Sequence, residues 1–322
     1  MDAPEIELFE RSVRQATERH RGVALDAAFT ELGWPDALAA DPHSAVSILF
    51  PLQGAAPAAS SALDQVVLTG LGIPEVTDAV VLPFLGTWAA PGDVAGDRLS
   101  IRGLGMAAMQ RDTHAVVVAR RERDDSLTVV TVPTSEVALR PVSGIDPAFG
   151  LVEVTADAVG FSPCADDAPG HSWSAAVVLA QLALSYEILG AARAMLALAR
   201  EHALERTQFG QPISKFQALR HRLAETLVAI EAADAAVHAA REEPSPELAA
   251  IAKSLAGRGA LTASRHCQQV LAGIGFTAEH PFHRYYRRIL LLDQLFGSAH
   301  SLTNEFGNEL LRSRQFPALL PL

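Results

Sequence analysis

Arg206-Thr207-Gln208-Phe209-Gly210-Gln211-Pro212-Ile213, followed by Phe216-Gln217, is the stretch whose reading decides the fold. It lies between two long segments of helical composition, Ser174 to His202 and Phe216 to Arg241. An arginine offers a two-pronged donor that suits a pyrophosphate. A glutamine can bond ribose or adenine edges, and Gly210-Gln211-Pro212 makes a turn that exposes backbone N–H groups. The same residues also fit a plain helix-to-helix connection carrying a solvated arginine.

A second cluster, Gln268-Gln269-Val270-Leu271-Ala272-Gly273-Ile274-Gly275-Phe276-Thr277, closes the next helical segment, Pro246 to Gly273. Glycines after a helix commonly serve as a C-cap with positive φ; the other reading is a loop that approaches a diphosphate closely. A fourth segment, Tyr285 to Arg314, has few breakers, so the last half reads as a four-helix bundle over residues 166–322. Leu219, Leu223, Leu227 and Ile230 give it one apolar stripe.

Upstream, the turn Ala168-Pro169-Gly170 separates the bundle from short β-branched runs at Ala115 to Ala119, Leu127 to Val132 and Val152 to Val154. Prolines and Gly144 punctuate these runs, as in antiparallel strands of a small barrel or sandwich, so residues 73–165 read as a middle β-barrel domain. Residues 1–72 read as an amino-terminal helical domain, with Leu8, Val13 and Ala16 on one face and a break at Gly33-Trp34-Pro35. The expected fold is mainly α with a small β domain.

Composition excludes several classes of function. A net charge of -11 leaves no basic footprint for nucleic acid. The densest basic stretch, His283-Arg284-Tyr285-Tyr286-Arg287-Arg288, is local: either surface ion pairs or a contact to a cofactor-sized anion. Cys164 and Cys267 lack metal spacing, and no Glu-x-x-His pair marks the bundle, so no metal site is expected. The apolar stretch Trp173 to Tyr186, about 14 residues, falls short of a bilayer span, and Met1 to Glu5 begins no signal pattern. A cytoplasmic protein without a membrane span is the expectation.

Together, in this order and at this separation, the two clusters resemble the carboxy-terminal domain of the acyl-CoA dehydrogenase family. The pattern Arg-x-Gln-Phe-Gly-x-Pro-Ile-x-x-Phe-Gln is complete from Arg206 to Gln217. Gln-x-x-Gly-Gly-x-Gly-Phe-Thr-x-Glu is matched from Gln269 to Glu279, with Ala272 for the first glycine. The resemblance implies FAD between the β domain and the bundle, its adenine end reaching a neighbouring subunit. Arg206, Gln208, Phe209 and Gln217 would contact the adenine dinucleotide, and Gln269 and Gly273 would line the same path. The implied reaction is α,β-dehydrogenation of an acyl-CoA thioester, in which a carboxylate takes the α proton and flavin takes the hydride.

The base itself is missing. Phe296 stands where the family's Tyr-Glu-Gly-Thr-like loop has glutamate, and Ala180 fills the alternative seat. Glu187 lies roughly 10 Å further along the helix axis, Glu279 belongs to the second motif, and Asp293 reads as a solvated or paired residue. The flavin-ring segment is reduced to a faint likeness over Leu85 to Asp93. No catalytic residue is assigned. The chain therefore resembles the non-catalytic subunit of short actinobacterial α2β2 acyl-CoA dehydrogenases that act on steroid-derived CoA thioesters. Its implied partner is a second acyl-CoA dehydrogenase subunit that brings the base. A flavin monooxygenase of the same fold and a scaffold subunit binding neither flavin nor substrate are the alternatives.

Overall fold

The computed structural model describes residues 3–73, 79–164 and 173–314. The expected domain boundaries near 73 and 166 fall beside residues outside that range, as do Met1-Asp2 and the Ala168-Pro169-Gly170 turn. Five helices come first: α1 (Ala3–Arg19), α2 (Val23–Glu31), α3 (Trp34–Ala40), α4 (Pro42–Ala55) and α5 (Ala62–Gly70). Asp41 caps α4 by accepting from the Ser44 amide at 3.1 Å, and Pro42 follows where no helical N–H is needed. The buried stripe of α1 runs through Phe9, Val13 and Ala16. Leu8, which its spacing grouped with Val13, is 59% exposed, because the i, i+4, i+7 series that faces the core starts one residue later.

The middle region is one eight-stranded sheet made of β1 (Ala79–Val80), β2 (Gly92–Ala95), β3 (Arg98–Met106), β4 (His114–Arg121), β5 (Leu127–Pro133), β6 (Ala138–Pro141), β7 (Leu151–Val159) and β8 (Ser162–Pro163). Its order is β6-β7-β3-β2-β4-β5-β8, with β1 also paired to β4. The strands expected from the β-branched runs are present. Two pairings, β1 with β4 and β2 with β4, are parallel where an antiparallel set was expected. Strand β4 is buried on both faces. Val117 joins a core inside the sheet with Ile101 and Val130, and Val116 and Val118 join the main core beneath the helices. A continuous rather than alternating apolar run follows from that position.

The last region contains α6 (Trp173–Glu205), a short hairpin of β9 (Thr207–Gln208) and β10 (Gln211–Pro212), then α7 (Gln217–Glu242), α8 (Pro246–Leu271), α9 (Phe282–Gln294) and α10 (Ala299–Ser313). The expected fourth bundle helix is thus two. The chain breaks at Leu295 to Ser298, where Phe296 and Gly297 take φ of 53° and 95°. Lys253, fully buried on α8, donates to the carbonyls of Leu292, Asp293 and Gly297 at 3.1, 3.0 and 3.1 Å. Ser298 and Ser301 then open α10 with a capping box. On α7 the buried stripe is Thr226, Ile230, Ala233, Val237 and Ala240, which turns Leu227 outward at 50% exposure.

Helix α6 has 33 residues and an 18-residue window apolar enough to cross a membrane, longer than the stretch its sequence marks. That window is 94% buried inside the protein, and every residue from Ala176 to Ala192 is covered. Helix α4 crosses it with no side chain between. A Cβ on Gly54 would lie 2.0 Å from the Glu187 carbonyl oxygen, and one on Gly190 would lie 2.1 Å from that of Pro51. Adding a methyl group there forces two backbones apart. Gly190→Ala is expected to destabilise the protein by about 2 kcal/mol or more, measured by chemical denaturation, whereas Gly96→Ala, whose Cβ meets nothing within 4 Å, should cost only its positive-φ strain.

Candidate flavin site

The first motif begins where α6 ends. Its β9–β10 hairpin pairs Gln208 with Gln211 and Thr207 with Pro212 across a turn in which Phe209 and Gly210 have φ of 53° and 76°. That turn carries Phe209 outward to 92% exposure, where its ring meets Phe216 edge-on at 6.1 Å. Arg206 and Gln208 are exposed on the same hairpin, and Gln217 is exposed at the first residue of α7. Among the described residues Arg206 has no carboxylate within ion-pair distance. Its guanidinium is free to meet an anion from outside the chain.

The second motif sits at the same end of the molecule. His280, just beyond it, is held below the usual histidine range by burial and by the nearby His202, four residues before Arg206. Gln269 and Gly273 are both exposed. The residue after α8 with positive φ is not a glycine but Ala272, at φ 52° and ψ -133°, the position that departs from the family pattern. Gly273 has an ordinary φ, and a Cβ there would meet nothing within 4 Å, so packing inside this chain does not require glycine at that position. All six residues expected to contact the adenine dinucleotide therefore share one outward-facing end, and none lines the interior.

The two base seats also come together. Gln181, next to Ala180, donates to the Phe296 carbonyl at 3.0 Å, and both Ala180 and Phe296 are fully buried. Aromatic rings border the seat, beside a cleft of about 680 Å³ lined by Trp88, Trp173 and Gln181. Trp173 lies 6.1 Å from Phe296, and its Nε1 donates to the Trp88 carbonyl at 3.0 Å. A Cβ on Gly297 would lie 2.7 Å from the Trp88 ring. The reduced ring-side segment thus packs directly on the base seat, which holds no carboxylate.

The remaining acids are committed elsewhere. Glu187 is 1% exposed, accepting from Gln53 at 3.0 Å and from Arg288 at 3.2 Å. Burial pushes its carboxyl up to about 7, more than Arg288 and Gln53 hold it down. Asp293 accepts from the Ala299 amide at 3.0 Å and supports the α9–α10 break. Glu279 is exposed beside the second motif. Lys253, which no sequence pattern singled out, is drawn down to about 8 by burial. Its only signal in the sequence is a lone lysine within an apolar helical stripe.

A helical region, a mixed sheet and a helical bundle with a motif-bearing end define the class. Residues 176–311 match the family model for the acyl-CoA dehydrogenase C-terminal domain. Acyl-CoA dehydrogenase IpdE2 of Mycobacterium tuberculosis is 31% identical over 267 residues, 76% of this chain and 81% of that protein. The chain belongs to the acyl-CoA dehydrogenase family. Two solved structures share its fold at low identity. The Tcur3481-Tcur3483 steroid ACAD G363A variant has a TM-score of 0.78 at 19% identity, covering 97% of this chain and 99% of that one. The ChsE4-ChsE5 complex from Mycobacterium tuberculosis has a TM-score of 0.77 at 18% identity, covering 99% of each.

Two measurements check this geometry. Ala272→Gly should raise stability by about 1 kcal/mol, because it relieves a backbone conformation that side chains disfavour; an unchanged denaturation midpoint would contradict the strain. For Glu187, a folded-state pKa above the ordinary carboxylate value means the folded chain holds the proton more tightly between about 4.5 and 7. Its contribution is full below that window and is lost as pH rises through it. The gap in melting temperature between wild type and Glu187→Gln should therefore change across that pH range, in the direction of wild-type stability falling faster.

Proposed function

We propose that this chain is the subunit of a two-chain, FAD-dependent acyl-CoA dehydrogenase that supplies adenine-side contacts to a flavin whose ring and catalytic base belong to a second subunit. The observation that carries the reading is a division within one molecule. The six adenine-side residues are presented outward, while the base seats hold the buried Phe296 and Ala180 and no carboxylate. The adenine end fits the residues present: an arginine with no ion pair among the described residues, a hairpin glycine at positive φ and Gly273 with open space before it. The base seat does not fit the family's proton transfer, because Phe296 and Ala180 stand there in place of a carboxylate.

Bound flavin supplies the hydride acceptor. Arg206 would neutralise diphosphate charge, and Gln208, Gln217 and Gln269 would bond sugar or base edges. Phe209 would press its ring against the partner or the cofactor's adenine. The outward motif end points to a partner chain, and an α2β2 assembly satisfies both chains. A steroid-derived CoA thioester is the substrate this reading favours, from the likeness to a steroid acyl-CoA dehydrogenase and to a two-chain complex.

The chain alone should neither retain stoichiometric FAD nor oxidise an acyl-CoA, and the co-purified pair should do both. In that pair, Arg206→Ala should lower FAD retention at least about tenfold, a loss of about 1.4 kcal/mol. Unchanged retention would favour the scaffold alternative, and turnover by the isolated chain would overturn the shared site.

A further inference from the structure

The second motif is joined to α9 through a histidine. His280 follows the motif's last residue, Glu279, and stands two residues before Phe282, where α9 begins. The Phe282 amide donates to its ring Nδ1 at 3.2 Å. Pro281, at the N-cap position between them, supplies no side-chain cap. A ring nitrogen that accepts carries no hydrogen, so this contact requires the neutral imidazole with its proton on Nε2. The backbone of the same residue holds a second histidine: the His280 carbonyl accepts from Nδ1 of His283 at 2.8 Å.

The surroundings oppose a proton on that ring. Burial acts against it most strongly, then His202 at the end of α6 and His283 on α9, both cations when charged. Among the described residues no carboxylate lies within ion-pair distance of His280. Asp146, in the loop before β7, is held by Arg288, and His266 of α8 is engaged by Thr226 and the Arg222 carbonyl on α7. The other charged side chains of these segments, Glu201 and Glu205 on α6, Arg265 on α8, Glu279, and Arg284 and Arg287 on α9, are exposed. A proton on the ring would also set a positive charge at the positive end of the α9 dipole.

The body of α9 is anchored independently. Tyr285 donates to the Ala55 carbonyl at 2.9 Å, Phe282 is fully buried against Tyr286, and Arg288 sits in its junction further along. Only the first amide of the helix and the loop before it rest on the neutral ring.

We propose that His280 is a proton-operated latch between the second motif and α9. Neutral, it caps the helix and holds the loop from Ala272 to Glu279 to its start. Protonated, it withdraws the acceptor from the Phe282 amide and repels His202 and His283. The loop and the first turn of α9 then part locally, while Arg288 keeps the rest of the helix in place. The latch does not depend on the flavin reading, which adds only that Gly273 lies on the loop it releases. Because the folded chain binds this proton less readily than the unfolded one, the stabilisation is full above the ordinary histidine value of 6.5 and is lost as pH falls below it.

The test uses the full chain without cofactor. Its ring signals in NMR should show His280 titrating below the ordinary histidine value, and His202→Gln should raise that midpoint. Amide exchange over residues 273–284, corrected for the intrinsic effect of pH, should be at least about tenfold less protected near pH 5.5 than near pH 7.5, with residues 288–292 unchanged. His280→Asn puts a non-titrating acceptor in place of Nδ1 and should keep the protection at both pH values, whereas His280→Ala should lack it at both. Comparing wild type with His280→Asn at each pH cancels the contribution of Glu187, which runs in the opposite direction. Wild-type protection that does not change over this range would overturn the latch, as would a His280→Asn chain that loses protection in acid as wild type does. Neither result bears on the shared flavin site.

Discussion

One buried cation ties the three regions of this chain to each other. Arg288, 1% exposed on α9, donates to Asp146 in the loop before β7 and to Glu187 on α6. It also donates to the carbonyls of Ala58 and Pro57 after α4, and its guanidinium lies over the Phe149 ring at 4.6 Å. Taking such a charge out of water is costly unless nearly every donor is used, and here the donors reach partners in all three regions. Removing any one partner would leave charge unsatisfied in the interior. The glycine crossing of α4 and α6 lies beside this network, since Gln53, next to Gly54, bonds Glu187. Close backbone contact and the polar hub therefore fix the same junction.

A second buried cation shapes the region where the family's chemistry would occur. Lys253 collects three carbonyls at the end of α9 and so stabilises a break that the local sequence barely announces. The break places Phe296 opposite Ala180. In a subunit that carried a carboxylate at either seat, the same scaffold would hold it beside the cleft that Trp88 and Trp173 line. Neither seat in this chain holds a carboxylate.

Much of this is legible in the sequence wherever the determining interactions are local. The hairpin from Arg206 to Pro212 follows from its own turn residues, and counting along the motifs matches Phe296 and Ala180 to the two base seats, which prove to be neighbours. The valine runs announce β4 and β5. Less is legible where a distant residue decides. Nothing near Leu295 says that α9 must stop, because Lys253 comes from another helix. The basic stretch does not reveal that Arg288 faces inward while Arg284 and Arg287 face out, since a carboxylate 101 residues away and a carbonyl 230 residues away select it. Strand β3, interrupted by Gly103 and Gly105 and by two arginines, carries no β-branched run to mark it. At Ala272 the sequence shows a one-residue departure from a motif and gives no sign of the positive φ that comes with it.

The long reach of the central junction bears on how the chain is made. Gln53 waits for a partner 134 residues later, and the carbonyl of Ala58 waits for one 230 residues later. During synthesis the first helices emerge well before α6 and α9 exist to cover them, with Leu49, Phe50 and Leu52 of α4 lacking their final neighbours. Contacts of such separation form late and slowly. The amino-terminal helices are thus completed only when the carboxy-terminal half has left the ribosome. A chain truncated anywhere before α9 would present an unfinished apolar surface to chaperones and proteases instead of a smaller folded domain.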